Sequence, residues 1–223
     1  MLRELTQNQR SWMEAVAGAT GGSTFGAGGV DCVHQPRPHG ELLVPFPERA
    51  PGVELVDRAR ELGVRRIGCW LGEPSPTVED ALPGLGFDPG WRPHWMAAPA
   101  APSEPDPRVS EVEEVPEYDE YGQALLSLTH GPSHLFVARA EDGRFAGHAW
   151  LHVAAGVGGL YDVFVPEDLR RRGLGSALSR AASAKAAELG IDTITLNAEN
   201  EPLYESLGFR SLGYGQTWWR HGV

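Results

Sequence analysis

Apolar and polar positions in the second half of the chain alternate with two different periods. Residues 109–115 (VSEVEEV) alternate like an edge strand. Residues 117–128 set Tyr121, Leu125 and Leu126 on one helical face, which predicts a short helix. Residues 134–140 (HLFVARA) and 145–153 (FAGHAWLHV) read as strands around Glu141-Asp142-Gly143-Arg144, a hairpin signal. A further strand over 158–165 stops at Pro166, which has no N–H to donate to a ladder. The Ala- and Leu-rich run 173–189 predicts a helix ended by Gly190. A strand over 191–197, a short helix over 201–207 ended by Gly208, and two strands within 209–220 complete the order. Antiparallel strands followed by β–α–β predict an α/β (α+β) fold, with a mixed, mostly antiparallel sheet flanked by helices.

The aperiodic stretch 97–107, AAPAAPSEPDP, reads as a semi-rigid linker or surface loop. It divides the chain into residues 1–96 and 108–223. The two parts share an order of words. Residues 60–74 (RELGVRRIGCWLGEP) and 187–202 (AELGIDTITLNAENEP) both run from a helix end through ELG into a strand and a Glu-Pro turn. Leu85-Gly86-Phe87 precedes Trp91 and Trp95 as Leu207-Gly208-Phe209 precedes Trp218 and Trp219. This order suggests a diverged internal duplication. ELG and LGF are common words, so chance similarity is the alternative.

Composition narrows the classes. With 223 residues and 41% hydrophobic content the chain can bury a sizeable core, and wholesale disorder is excluded. No run of 18 apolar residues predicts a membrane span. The start lacks a signal-peptide pattern, and Cys32 and Cys69 form no CxxC or disulfide framework, so the expected location is cytoplasmic. A net charge of −11 argues against nucleic-acid binding and suits solubility or a cationic partner. The acidity lies mostly after residue 100, where 18 Asp/Glu face 10 Lys/Arg.

Against that acidity stands one basic turn. Residues 163–177 give a strand (Val163-Phe164-Val165), Pro166, then Arg170-Arg171-Arg172-Gly173-Leu174-Gly175-Ser176 opening the long helix. A helix N-terminus offers N–H groups and partial positive charge, and glycines let the backbone approach an anion closely. Phosphate binding is the reading; a basic turn capping a helix is the alternative. Neither GxxxxGK[ST] nor GxGxxG is present. The segment resembles the acyl-CoA pyrophosphate loop of the GNAT superfamily of N-acetyltransferases, (Arg/Gln)-x-x-Gly-x-(Gly/Ala), with Arg170, Gly173 and Gly175 in its places. Asn197, Tyr204 and Leu207-Gly208-Phe209 resemble the second motif of that family. The resemblance covers about residues 106–220. With the internal duplication it implies two tandem GNAT-like domains, the first degenerate.

The resemblance implies a role for each matching residue. The strand before the loop splays from its neighbour at a bulge, and the free backbone of Val163, Phe164 and Val165 would bind the pantetheine arm of acetyl-CoA. Its pyrophosphate would sit on the N–H groups of Arg171, Arg172, Gly173, Leu174, Gly175 and Ser176. Asn197 would hydrogen-bond the arm or fix the adjacent strand. Tyr204 would protonate the departing thiolate, since a phenol with a pKa of about 10 keeps its proton at neutral pH. The alternative for Tyr204 is a core aromatic. Polyamine-type relatives carry Glu-Asp on the strand where this chain has Tyr161-Asp162. Asp162 is therefore a candidate to accept the amine's proton, to bind an ammonium, or to cap the turn. His148 and His152, four apart on one strand, are further base candidates, as are His130 and His134. His34, His39 and His94 show no metal-ligand spacing. In the first half, Val44-Pro45 mimics Val165-Pro166 with no Gly-x-Gly after it, and Trp70 stands in the place of Asn197. The glycine-rich 20–30 (TGGSTFGAGGV) reads as a flexible loop, not a phosphate cradle.

The implied activity is transfer of an acetyl group from acetyl-CoA to a primary amine, on a small molecule, by direct attack without a nucleophilic cysteine. A peptide N-terminus as acceptor, an acyl-CoA-binding regulatory module without turnover, and a tryptophan-rich dimerisation scaffold are the alternatives. A homodimer is compatible with each.

Overall fold

The computed structural model describes residues 1–223. From the start of the chain the elements run α1 (Leu2–Ala19), β1 (Ser23–Ala27), β2 (Val30–Gln35), β3 (Glu41–Pro45), α2 (Glu54–Glu61), β4 (Arg66–Leu71), α3 (Pro76–Glu79), β5 (Asp88–Pro89) and β6 (His94–Pro99). They continue as β7 (Val109–Val112), α4 (Glu120–Leu125), β8 (Ser133–Arg139), β9 (Phe145–Ala154), β10 (Val157–Phe164), α5 (Leu174–Glu188), β11 (Thr193–Ala198), α6 (Glu201–Ser206), β12 (Arg210–Tyr214) and β13 (Gln216–His221). No helix is long and apolar enough to cross a membrane.

Contacts gather these elements into two units, Arg10–His94 with Gly213–Val223, and Met1–Gln9 with Trp95–Leu212. The division differs from the 1–96, 97–107 and 108–223 reading. Each sheet needs a strand from the distant part of the sequence, and local composition carries no record of such pairing. β6 lies between β12 and β11, and β13 lies between β4 and β5. The Ala/Pro stretch is correspondingly not free. Ala97–Pro99 belong to β6, Ala100 N–H donates to Asp192 O, and Ala101 N–H to Ser183 Oγ.

The unit of Arg10–His94 has a six-stranded sheet in the order β1-β2-β3-β4-β13-β5. Its core joins Leu42 and Val44 of β3, Ile67 and Cys69 of β4, and Leu55, Val56 and Ala59 of α2. The glycine-rich segment is a β-hairpin and not the loop its composition suggests. Residues 23–27 form β1, paired antiparallel with β2, and only Gly28 and Gly29 make the turn, both with positive φ. Two adjacent positive-φ residues suit a tight hairpin turn, which the glycine count alone disguised.

The second unit has a seven-stranded sheet in the order β12-β6-β11-β10-β9-β8-β7, antiparallel over β7 to β10 and parallel between β10 and β11. α5 packs on it through Leu174, Leu178, Ala182 and Ala186, one residue per turn. Ala186 comes so near β10 that a Cβ on Gly158 would lie 3.4 Å from its methyl group. The helix ends in a Schellman turn. Gly190 has φ +75°, and Ile191 N–H donates to Ala186 O. The predicted helix over 117–128 is α4 followed by a 3₁₀ turn, Leu126–His130.

Candidate active site

β10 and β11 pair at two register positions only, Gly158 with Ile194 and Gly159 with Thr195, and then part. On the other side of β10, Tyr161 pairs with Trp150 but Phe164 pairs with His148. Asp162 and Val163 therefore oppose Ala149 alone, which is a β-bulge. Asp162 takes the left-handed conformation, φ +48°. Gly147 accommodates the bulge. A Cβ there would lie 2.4 Å from Phe164 O.

The turn after β10 runs through a 3₁₀ segment, Glu167–Leu169, to Gly173, the N-cap of α5 at φ +79°. Ala177 N–H donates to Gly173 O, so the N–H groups of Leu174, Gly175 and Ser176 lie ahead of the first helical bond. Two of the three arginines tie the turn together. Arg170 Nε donates to Val165 O at 3.1 Å, and Arg172 donates to Asp168 O at 3.2 Å. Arg108 braces it from outside, donating to Arg172 O at 3.1 Å. Arg108 is itself held by Asp106, whose carboxyl its guanidinium keeps down at about 2. Arg171 has φ +61°, so this turn also carries a non-glycine residue in the left-handed region.

Bulge, splay and turn enclose a cavity of about 890 Å³. Of the residues singled out in the sequence, Asp162, Val163, Phe164, Val165, Arg170, Arg171, Gly173, Leu174, Gly175, Ser176, Asn197 and Tyr204 line it. Arg172 does not, because its side chain turns back onto Asp168. Tyr204 is buried on α6, its ring edge-on to Phe209. Burial, then the Glu199 carboxylate, pushes its phenol up to about 12. Asn197 donates from Nδ2 to Gln9 Oε1 at 3.0 Å.

At the bulge, His148 Nε2 lies 3.2 Å from Asp162 Oδ2, off the line of a hydrogen bond, while its Nδ1 meets the Tyr118 hydroxyl. His152 is buried against Ser133 Oγ, 2.8 Å from its Nδ1, and burial pushes it down to about 4, so it stays neutral. His134 pairs with Glu111, and neither His134 nor His130 lines the cavity. Sequence reading missed Tyr118, Gln9, Arg108, Glu199 and Asn200. Glu199 and Asn200 follow Asn197 closely and were within reach of the motif. The other three act across long sequence separations and left no local signal.

Residues 95–209 match the acetyltransferase (GNAT) family. A mycothiol acetyltransferase of Clavibacter sepedonicus is 43% identical over 84 residues, 35% of this chain and 28% of that protein. The chain thus matches under a third of that relative's length. A GCN5-related N-acetyltransferase from Kribbella flavida superposes with a TM-score of 0.63 at 16% identity, covering 97% of this chain and 96% of its own. A tandem GNAT protein from the clavulanic acid biosynthesis pathway gives 0.58 at 14% identity, over 91% and 79%. At these identities the two structures speak for the fold, a mixed α/β arrangement with mostly antiparallel sheets. The family match spans the bulged strand, the glycine turn and the Tyr204 helix, and the chain belongs to the acetyltransferase (GNAT) family.

Proposed function

We propose that the cavity binds acetyl-CoA and transfers its acetyl group to a primary amine of a small molecule. The observation that carries this reading is the parting of β10 and β11 beside the bulge, which opens onto the start of α5. The site fits the cofactor chemically. Backbone freed by the splay suits the amides of a pantetheine arm. Glycine N–H groups at a helix N-terminus beside Arg171 suit a pyrophosphate.

When bound, the thioester supplies the acyl carbon, which passes from sulfur to the amine nitrogen. Tyr204 holds its proton at neutral pH and lines the cavity, so its hydroxyl is the donor for the departing thiolate. Asp162 is the carboxylate at the bulge. Tyr161 stands where a Glu would complete the pair, and its hydroxyl is committed to Asn8 at 2.6 Å. Asp162 binds the acceptor's ammonium and, with His148 behind it, receives the proton that the amine must lose.

The unit of Arg10–His94 is a GNAT-like half that has lost its CoA site. Its parallel pair, β3 and β4, stays in register from Glu41–Arg66 to Pro45–Trp70, and Phe46 N–H donates on to Trp70 O. Where β10 and β11 part, this pair is closed.

The test is calorimetry with acetyl-CoA, followed by release of free CoA on addition of a panel of primary amines. Micromolar binding with amine-dependent thiol release is expected. Binding without release against any amine favours the regulatory module, and a folded protein that does not bind sinks both.

A further inference from the structure

Two neighbouring residues of α1 are buried polar groups with no part in the scheme above. Asn8 is 0% and Gln9 5% exposed. Asn8 Nδ2 donates to the carbonyls of His152, Ala154 and Val157 at 3.0, 3.1 and 3.0 Å, and its Oδ1 accepts from the Tyr161 hydroxyl. Gly159 makes room for it. A Cβ there would stand 2.1 Å from Asn8 Oδ1. Gln9 Oε1 accepts from Asn197 Nδ2.

The register gives this pair its meaning. The last bonded position of the parallel strands is Gly159 with Thr195. Two residues further along each strand stand Tyr161 and Asn197, which continued pairing would set side by side. Instead Tyr161 is tied to Asn8 and Asn197 to Gln9, adjacent residues of one helix. Asn197 lies on the face of β11 opposite Ile194, Leu196 and Ala198, which pack into the core with α5.

We infer that the Asn8–Gln9 step is a spacer that holds the two strands at their point of parting, and that Gln9 is the positioning residue for Asn197. The inference rests on the acetyl-CoA reading above. With one Nδ2 hydrogen committed to Gln9, Asn197 presents its Oδ1 as the acceptor left for the cavity, beside its second N–H. An acceptor there selects the amide N–H groups of a pantetheine arm. It has nothing to offer the nucleotide, which the helix N-terminus serves. Gln9 therefore governs affinity for one part of the ligand only.

The experiment is calorimetry on the full chain with CoA and with 3′-phospho-ADP, which lacks pantetheine. Gln9→Leu removes the acceptor and frees the Asn197 amide to turn; Gln9→Glu keeps an acceptor oxygen. Gln9→Leu is expected to weaken CoA about tenfold while 3′-phospho-ADP changes less than about twofold, and Gln9→Glu to recover most of the loss. Gln9→Leu binding CoA like the wild type overturns the inference. So does equal weakening of both ligands, which is the mark of general damage. A wild type that binds 3′-phospho-ADP but gains nothing from the pantetheine arm overturns it too. A wild type that binds neither ligand removes the acetyl-CoA reading itself.

Discussion

Gly173 caps α5 and Gly175 stands in its first turn, and adding a methyl group to each asks two different questions. At Gly173 space is not the obstacle. A Cβ would find its nearest neighbour, an Arg108 nitrogen, at 3.9 Å. Conformation is. At φ +79° an L-residue pays about 1–2 kcal/mol for the left-handed region. Gly175 lies within α5, and its Cβ would meet only Leu203 Cδ2 at 3.5 Å, an ordinary contact. There alanine gains roughly 0.5–1 kcal/mol of helix propensity. Gly173→Ala should therefore lower stability and, as the turn relaxes to relieve the strain, weaken CoA about 5- to 30-fold. Gly175→Ala should raise Tm by roughly 1–4 °C. Its CoA affinity should stay within about twofold, because the loop pattern takes Gly or Ala at this place and the methyl meets only Leu203. Thermal unfolding without ligand and calorimetry with CoA read the two effects separately. A Gly173→Ala protein that loses stability and binds CoA undiminished would refute the assignment of this turn to the pyrophosphate.

Tyr204→Phe keeps the ring against Phe209 and should lower kcat by about 10²-fold or more with CoA affinity unchanged; a wild-type kcat would return Tyr204 to the core. Asp162→Asn keeps a residue that tolerates the left-handed bulge. It should raise KM for the amine identified in the thiol-release screen by about tenfold and leave CoA binding alone. An unchanged KM would place the ammonium elsewhere. His152 is held neutral by burial, with its pKa lowered from 6.5 to about 4, so its contribution is complete above pH 6.5 and is lost as the pH falls toward 4. That loss is about 3 kcal/mol. Urea midpoints at pH 7 and pH 4 should fall less far apart in His152→Gln than in the wild type, and equal falls would deny this group its role.

The turn was legible because its glycines and arginines are adjacent in sequence and each has a local reason to be there. The strands of the second half were legible for the same reason, since alternation and the break at Pro166 are short-range signals. What escaped was everything decided by distant partners. Nothing local in Gln216–His221 says that it pairs with β4, 145 or more residues earlier. Tyr118 announces nothing about His148, nor Gln9 about Asn197, because a loop and a helix meet those strands only through the tertiary fold. The Gly28-Gly29 hairpin shows a further limit. Glycine richness suggested slackness, while the pairing of β1 with β2 fixes the segment.

The place of β13 has a consequence for how the protein is made. β4 is complete once residue 71 has been synthesised, but the strand that covers its open edge ends at His221. At ~5–20 residues per second, roughly 8 to 30 s pass on the ribosome before that strand exists. For that interval the edge that carries Ile67, Cys69 and Leu71 offers unpaired backbone to any passing chain. A nascent-chain chaperone, or slow translation, would act on this protein chiefly within that window. Messages cut short before residue 216 would yield a chain that exposes the same edge permanently.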